Sequence, residues 1–131
     1  MCFDLPMNMR VLIADDSKPM RELVARSLHK ATTSSLDIEF ASDGEEALAT
    51  AMEWRPHLIF SDWNMPKLDG IAFLELYREH HPDTPFVMVT SEHSDAAKSE
   101  AMDKGASGLI AKPFKPDNFR PYLESAVSLL S

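Results

Sequence analysis

Short apolar runs alternate along this chain with apolar positions at helical spacing. Val11-Leu12-Ile13-Ala14 is continuous and apolar and stops at Asp15-Asp16. A run of that length bounded by polar residues suits a strand buried on both faces, as in a parallel sheet. Ser17 then offers a helix cap with Pro19 in the first turn, and Met20, Leu23, Val24 and Leu28 keep helical spacing. After the polar loop Thr32-Thr33-Ser34-Ser35, Ile38-Glu39-Phe40-Ala41 reads as a second strand. Asp43-Gly44-Glu45-Glu46 has the form of a capping box, with Glu46 placed to reach back. Ala47, Leu48, Ala51 and Met52 form one face of the helix it opens, and Pro56 helps stop that helix.

The pattern repeats. His57-Leu58-Ile59-Phe60-Ser61 is a third strand and ends at Asp62. Pro66 and Asp69-Gly70 shape a loop, and a third helix begins over Ile71 to Tyr77. Phe86-Val87-Met88-Val89 is a fourth strand ending at Thr90-Ser91. The helix after it is capped by Ser94, has a thin face of Ala97, Ala101 and Met102, and stops at Gly105. Gly108-Leu109-Ile110-Ala111 is a fifth strand ending at Lys112-Pro113. Phe119, Tyr122, Leu123, Ala126, Val127 and Leu130 line one face of the last helix. Pro121 lacks an amide hydrogen, which puts the regular start of that helix near Asn118 or later. Five strand–helix units in succession predict an α/β fold with a parallel sheet and helices on both faces.

Length and composition narrow the function. The 131 residues fit one domain, read as a lead-in over 1–8 and a folded unit over 9–131. Thirteen Lys and Arg against 21 Asp and Glu give a net charge of −8. That argues against direct electrostatic binding to nucleic acid or to an anionic membrane. The single cysteine, Cys2, cannot form an internal disulfide. No apolar run approaches the ~20 residues of a membrane span, and the N-terminus lacks the form of a signal peptide, so a cytoplasmic protein is expected.

The chemistry collects at the strand ends. In open α/β sheets, ligands bind beyond the carboxyl ends of the strands. Asp15-Asp16, Asp62, Thr90 and Lys112 all stand at such ends and should converge. Each has an ordinary explanation alone: a cap, a turn, a β-branched strand residue, a loop lysine. Together they supply three carboxylates, a hydroxyl and an ammonium. Crowded carboxylates stay ionised only beside a cation, and an all-oxygen set suits Mg²⁺. A carboxylate can attack phosphorus, Lys112 can hold an equatorial oxygen and Thr90 can donate to another. The histidines show no metal-ligand spacing, and the eight methionines are dispersed.

The segments Val-Leu-Ile-Ala-Asp-Asp-Ser at 11–17, Ser-Asp-Trp-Asn-Met-Pro-Lys-Leu-Asp-Gly at 61–70, Met-Val-Thr-Ser-Glu at 88–92 and Lys-Pro-Phe at 112–114 resemble those of the response-regulator receiver family. The likeness covers about residues 9–130 and is strongest to single-domain chemotaxis regulators. It implies a doubly wound five-stranded parallel sheet of order 2-1-3-4-5, the flavodoxin-like arrangement. It implies that Asp62 is the phosphoacceptor, and that Asp15, Asp16 and Asp62 hold Mg²⁺ with the backbone carbonyl of Asn64. By the same likeness Thr90 is the switch hydroxyl, Lys112 contacts the phosphoryl group, and Lys112-Pro113 is a cis peptide. Asn64 and Glu92 match the chemotaxis-type pair that tunes hydrolysis, which implies a short-lived phosphorylated form.

Leu109 departs from the pattern, because the family often carries Tyr or Phe three residues before the lysine. Pro121 is a second departure, in the face built from the fourth helix, fifth strand and last helix, where partners of this family bind. The expected function is a non-enzymatic phosphorylation switch. It takes phosphate from a sensor histidine kinase or phosphotransfer protein and presents an altered surface to a downstream protein. The alternative is a receiver belonging to a longer regulator with a DNA-binding or enzymatic output. A phosphohydrolase is disfavoured, because such enzymes usually carry an acid two residues after the nucleophile and this chain has Asn64 there. Binding without phosphorylation is disfavoured by the intact set of acids, hydroxyl and lysine.

Overall fold

The computed structural model describes residues 8–130, so Cys2 and nearly all of the expected lead-in lie outside the described residues. The elements are β1 (Met9–Ala14), α1 (Lys18–Ala31), β2 (Leu36–Ala41), α2 (Gly44–Trp54), β3 (Leu58–Ser61), α3 (Gly70–Arg78), β4 (Phe86–Thr90), α4 (Asp95–Asp103), β5 (Gly108–Ala111), a 3₁₀ turn (Pro116–Asn118) and α5 (Arg120–Leu130). All strand pairings are parallel and the sheet order is β2-β1-β3-β4-β5. β1 and β2 each start two residues earlier than their apolar runs, through the pairing of Met9 with Leu36.

Successive strand residues face opposite sides of a sheet, so β1 feeds two cores. Leu12 and Ala14 pack with Ala47 and Ala51 of α2, Phe73, Leu74 and Tyr77 of α3, and Ala101 of α4. Val11 and Ile13 pack with Val24 and Leu28 of α1 and with Phe119, Leu123 and Ala126 beside and within α5. Every residue of β3 and β4 is buried. Burying a large apolar side chain is worth roughly 1.5–3 kcal/mol, so these central strands hold the sheet. The edge strand β2 exposes Asp37 and Glu39, and charges on an edge discourage pairing with another chain. Among the described residues every buried side-chain polar atom has a partner.

Two local expectations change and one holds. Leu23 and Met102 hold helical spacing but are 39% and 45% exposed. α1 reaches the sheet through Val24 and Leu28, and α4 buries only Ala101, so the neighbouring residue turns outward in each case. Glu46 does reach back, but to the amide and hydroxyl of Ser42 at 2.7 and 3.1 Å rather than to the cap residue Asp43. α5 begins at Arg120, which leaves Pro121 in the first turn, where no amide hydrogen is needed. α4 is tied to α3 by Arg78, whose Nε donates to the Gly105 carbonyl at 2.9 Å.

Candidate functional site

The site lies at the carboxyl end of the sheet, where β1, β3, β4 and β5 deliver their terminal residues. The Asp62 amide donates to the Ala14 carbonyl at 2.8 Å and the Asp15 amide to the Ala41 carbonyl at 3.0 Å. These continuations of the ladder bring the two acids side by side. Carboxylate oxygens of Asp15, Asp16 and Asp62 all lie within 4.8 Å of one another. Asp15 is 4% exposed, Asp62 half-buried and Asp16 exposed.

Lys112 comes from the end of β5. Its amide donates to the Thr90 carbonyl at 3.0 Å. Its ammonium donates to Asp15 Oδ2 at 3.0 Å and lies 3.5 Å from Asp62 Oδ2. The following segment is anchored by an aromatic stack. Phe114 meets Phe119 edge-on at 4.9 Å, and Phe119 meets Phe60 of β3 at 5.2 Å. The Lys112–Pro113 peptide is cis. Thr90 is fully buried, and its Oγ1 accepts from the Glu92 amide at 3.0 Å. A threonine hydroxyl has one hydrogen and two lone pairs, so Thr90 keeps its hydrogen for a further acceptor.

Burial pushes the Asp62 carboxyl above the usual carboxylate value; the charge of Asp15 adds to this, while Lys112 opposes it. The Trp63 amide, donating to Asp62 Oδ1 at 2.7 Å, also favours the charged form. One ammonium thus pairs with two of the three clustered carboxylates, and the cluster has the composition of a hard-cation site: all oxygen ligands, with net negative charge.

Asn64 is exposed on the loop after β3, and Trp63 is part-buried against the α2–α3 core. Leu109 is part-buried against that same core, through β5. A cavity of about 460 Å³ lies between β5 and α5, lined by Leu109, Pro113, Pro121 and Tyr122 among others. Two supporting groups escaped the sequence reading. The Ser17 amide donates to Asp15 Oδ1 at 2.9 Å, and Arg21 donates to the Asp15 carbonyl at 2.7 Å. An aspartate two residues before a helix cap is the signal for the first, since Asp readily accepts from a backbone amide two residues on. The second has no local signal.

Among the described residues no helix is long and apolar enough to cross a membrane. The family model of the response regulator receiver domain matches residues 11–124. The chain is 34% identical over 124 residues to a probable chemotaxis protein CheY of Rhizobium etli, covering 92% of this chain and 94% of that protein. It is 36% identical over 110 residues to the alkaline phosphatase synthesis transcriptional regulatory protein PhoP of Bacillus subtilis, covering 84% of this chain but only 45% of that protein. The structure of the chemotaxis response regulator CheY4 of Vibrio cholerae superposes with a TM-score of 0.80 at 36% identity, covering 92% of this chain and 99% of that one. A Francisella receiver domain gives 0.83 at 28% identity, covering 95% and 100%. The strand order, the acids gathered around one lysine and the match over 11–124 agree: this chain belongs to the response-regulator receiver family of two-component signalling.

Proposed function

We propose that Asp62 accepts a phosphoryl group from a histidine kinase or phosphotransfer protein and that the modified chain signals through a protein surface. The observation that carries this reading is the Lys112 ammonium standing between Asp15 and Asp62 at 3.0 and 3.5 Å. A carboxylate oxygen of Asp62 would attack phosphorus as the bond to the donor's imidazole nitrogen breaks. Lys112 would then leave Asp62 for an oxygen of the bound phosphoryl group, and the free hydrogen of Thr90 would meet another. Asp15, Asp16, Asp62 and the carbonyl of Asn64 would hold Mg²⁺, which when bound neutralises charge on the transferring group. Asn64 and Glu92, small or flexible polar groups at the rim, would leave water a path to the acyl phosphate and keep it short-lived. Incubation with acetyl phosphate and Mg²⁺ should add one alkali-labile phosphate to the intact mass; an unshifted mass refutes the reading.

Cation binding has its own test. Mg²⁺ surrenders its waters reluctantly, so binding should be weak alone and tighter with beryllium fluoride present. Trp63 adjoins the site, and tryptophan fluorescence should report the titration. Asp16→Ala should abolish the Mg²⁺-dependent change, and an unaltered curve would remove Asp16 from the cation site.

The downstream partner would bind the face formed by α4, β5 and α5; the chain's net charge of −8 disfavours direct contact with nucleic acid. Leu109 lies within this face. A ligand shifts a two-state element only by its differential interaction with the two states, and Leu offers less area than an aromatic ring and no hydroxyl. Leu109→Tyr should therefore raise the ratio of partner affinities with and without beryllium fluoride. An equal or smaller ratio in a well-folded variant would assign switching to other elements, such as the segment 91–95.

A further inference from the structure

The loop 62–70 carries Asp62 and Asn64, and it rests on the first turn of α2. The Gly44 amide donates to the Pro66 carbonyl at 3.4 Å, and the Leu68 amide donates to the same carbonyl at 2.8 Å. Gly44 is buried, and a Cβ on it would overlap the carbonyl oxygen of Leu68 and lie 2.6 Å from its carbonyl carbon. Those atoms are backbone, so a methyl group cannot be relieved by turning a side chain. Lys67 between them has φ 72°, a left-handed conformation that is unfavourable for lysine and persists only where its surroundings impose it. Its ammonium lies 3.7 Å from Asp43 Oδ2. At the loop's other end the Gly70 amide donates to the Trp63 carbonyl at 2.7 Å. The loop is thus clamped at both ends, once beside Asp62 and once on α2.

We propose that Gly44 is a positioning residue for the cation site. With no side chain of its own, it lets the Leu68 carbonyl sit against the helix and so fixes the loop from which Asn64 would offer its carbonyl. The inference rests on the cation site proposed above. The Asp43–Lys67 pair contributes little, because the lysine side chain is 62% exposed; the seat is steric and made of backbone. Coupling between sites is reciprocal, so a bound cation that orders the loop must also tighten the seat.

The test is Mg²⁺ titration by tryptophan fluorescence of the wild type, Gly44→Ala and Asp43→Asn, with amide hydrogen exchange of the wild type with and without Mg²⁺. Gly44→Ala should keep the wild-type circular dichroism spectrum and bind Mg²⁺ at least about fivefold more weakly. Asp43→Asn preserves a good helix cap and removes the charge, and should stay within about twofold. Saturating Mg²⁺ should slow exchange at the amides of Gly44 and Leu68. A folded Gly44→Ala protein with wild-type affinity overturns the inference, as does an equal loss in Asp43→Asn. If Gly44→Ala does not fold, unchanged exchange at Gly44 and Leu68 in the wild type overturns it. A wild-type protein with no Mg²⁺ response overturns the cation site itself.

Discussion

Asp62→Asn should reduce labelling by acetyl phosphate to background and, in a chelator at neutral pH, make the protein more resistant to urea than the wild type. The first effect follows from loss of the nucleophile. The second follows from the position of the carboxylate. Burial, followed by the charge of Asp15, holds the Asp62 carboxyl above its ordinary value of 3.8. Between that value and the raised one the native state binds more protons than the unfolded chain. Its stability therefore falls as pH rises through the window, and the loss persists above it. Asparagine keeps an oxygen to accept from the Trp63 amide but carries no charge. The stability gap between variant and wild type should accordingly close as the pH approaches 3.8, and it should shrink at neutral pH when Mg²⁺ is added. Labelling of the variant at the wild-type rate would remove Asp62 from its proposed role. A gap that ignores both pH and Mg²⁺ would show that charge is not its origin.

Lys112→Met should act in the opposite direction on the fold. Its side chain is 17% exposed, and those of its partners Asp15 and Asp62 are 5% and 12% exposed. Removing one member of a buried ion pair costs about 3 kcal/mol or more, because the other charge stays buried without compensation. Methionine replaces most of the apolar stem, so packing changes little. The loss should be largest in a chelator and smaller in Mg²⁺, which supplies positive charge to the same carboxylates. The labelling rate should not recover with the fold: removing one donor to a developing negative charge typically costs about 100-fold or more. Urea midpoints with and without Mg²⁺, beside labelling rates, separate the two effects. An equal stability loss in both conditions would make Lys112 a packing residue.

The strand ends were legible because their apolar runs stop at residues with strong chemistry. Ala14 gives way to Asp15, Ser61 to Asp62 and Ala111 to Lys112, and the rule that strands of a parallel sheet end on one side does the rest. The caps Ser17, Asp43 and Ser94 are equally local, since each accepts from an amide three residues on, while Asp69, read only as a loop residue, caps α3 in the same way. What could not be read depends on packing rather than on local pattern. Gly44 against Leu68, Arg21 on the Asp15 carbonyl and Phe119 between Phe60 and Phe114 are products of packing. Leu23 and Met102 misled for a related reason: helical spacing names a face, while the neighbouring helix and sheet decide how wide that face is.

Lys112 meets Asp15 across 97 residues, and that separation bears on the order in which the chain folds. β1 and β3 pair directly, so the first three strand–helix units alone would gather Asp15, Asp16 and Asp62. The balancing ammonium enters only when β5 docks on β4. A half-formed sheet would therefore crowd the three carboxylates without the ammonium that pairs with two of them in the native fold, a local conflict that native contacts resolve. Such a species is disfavoured without a divalent cation and favoured with one. Docking of β5 would thus couple the sheet's completion to charge balance as well as to packing.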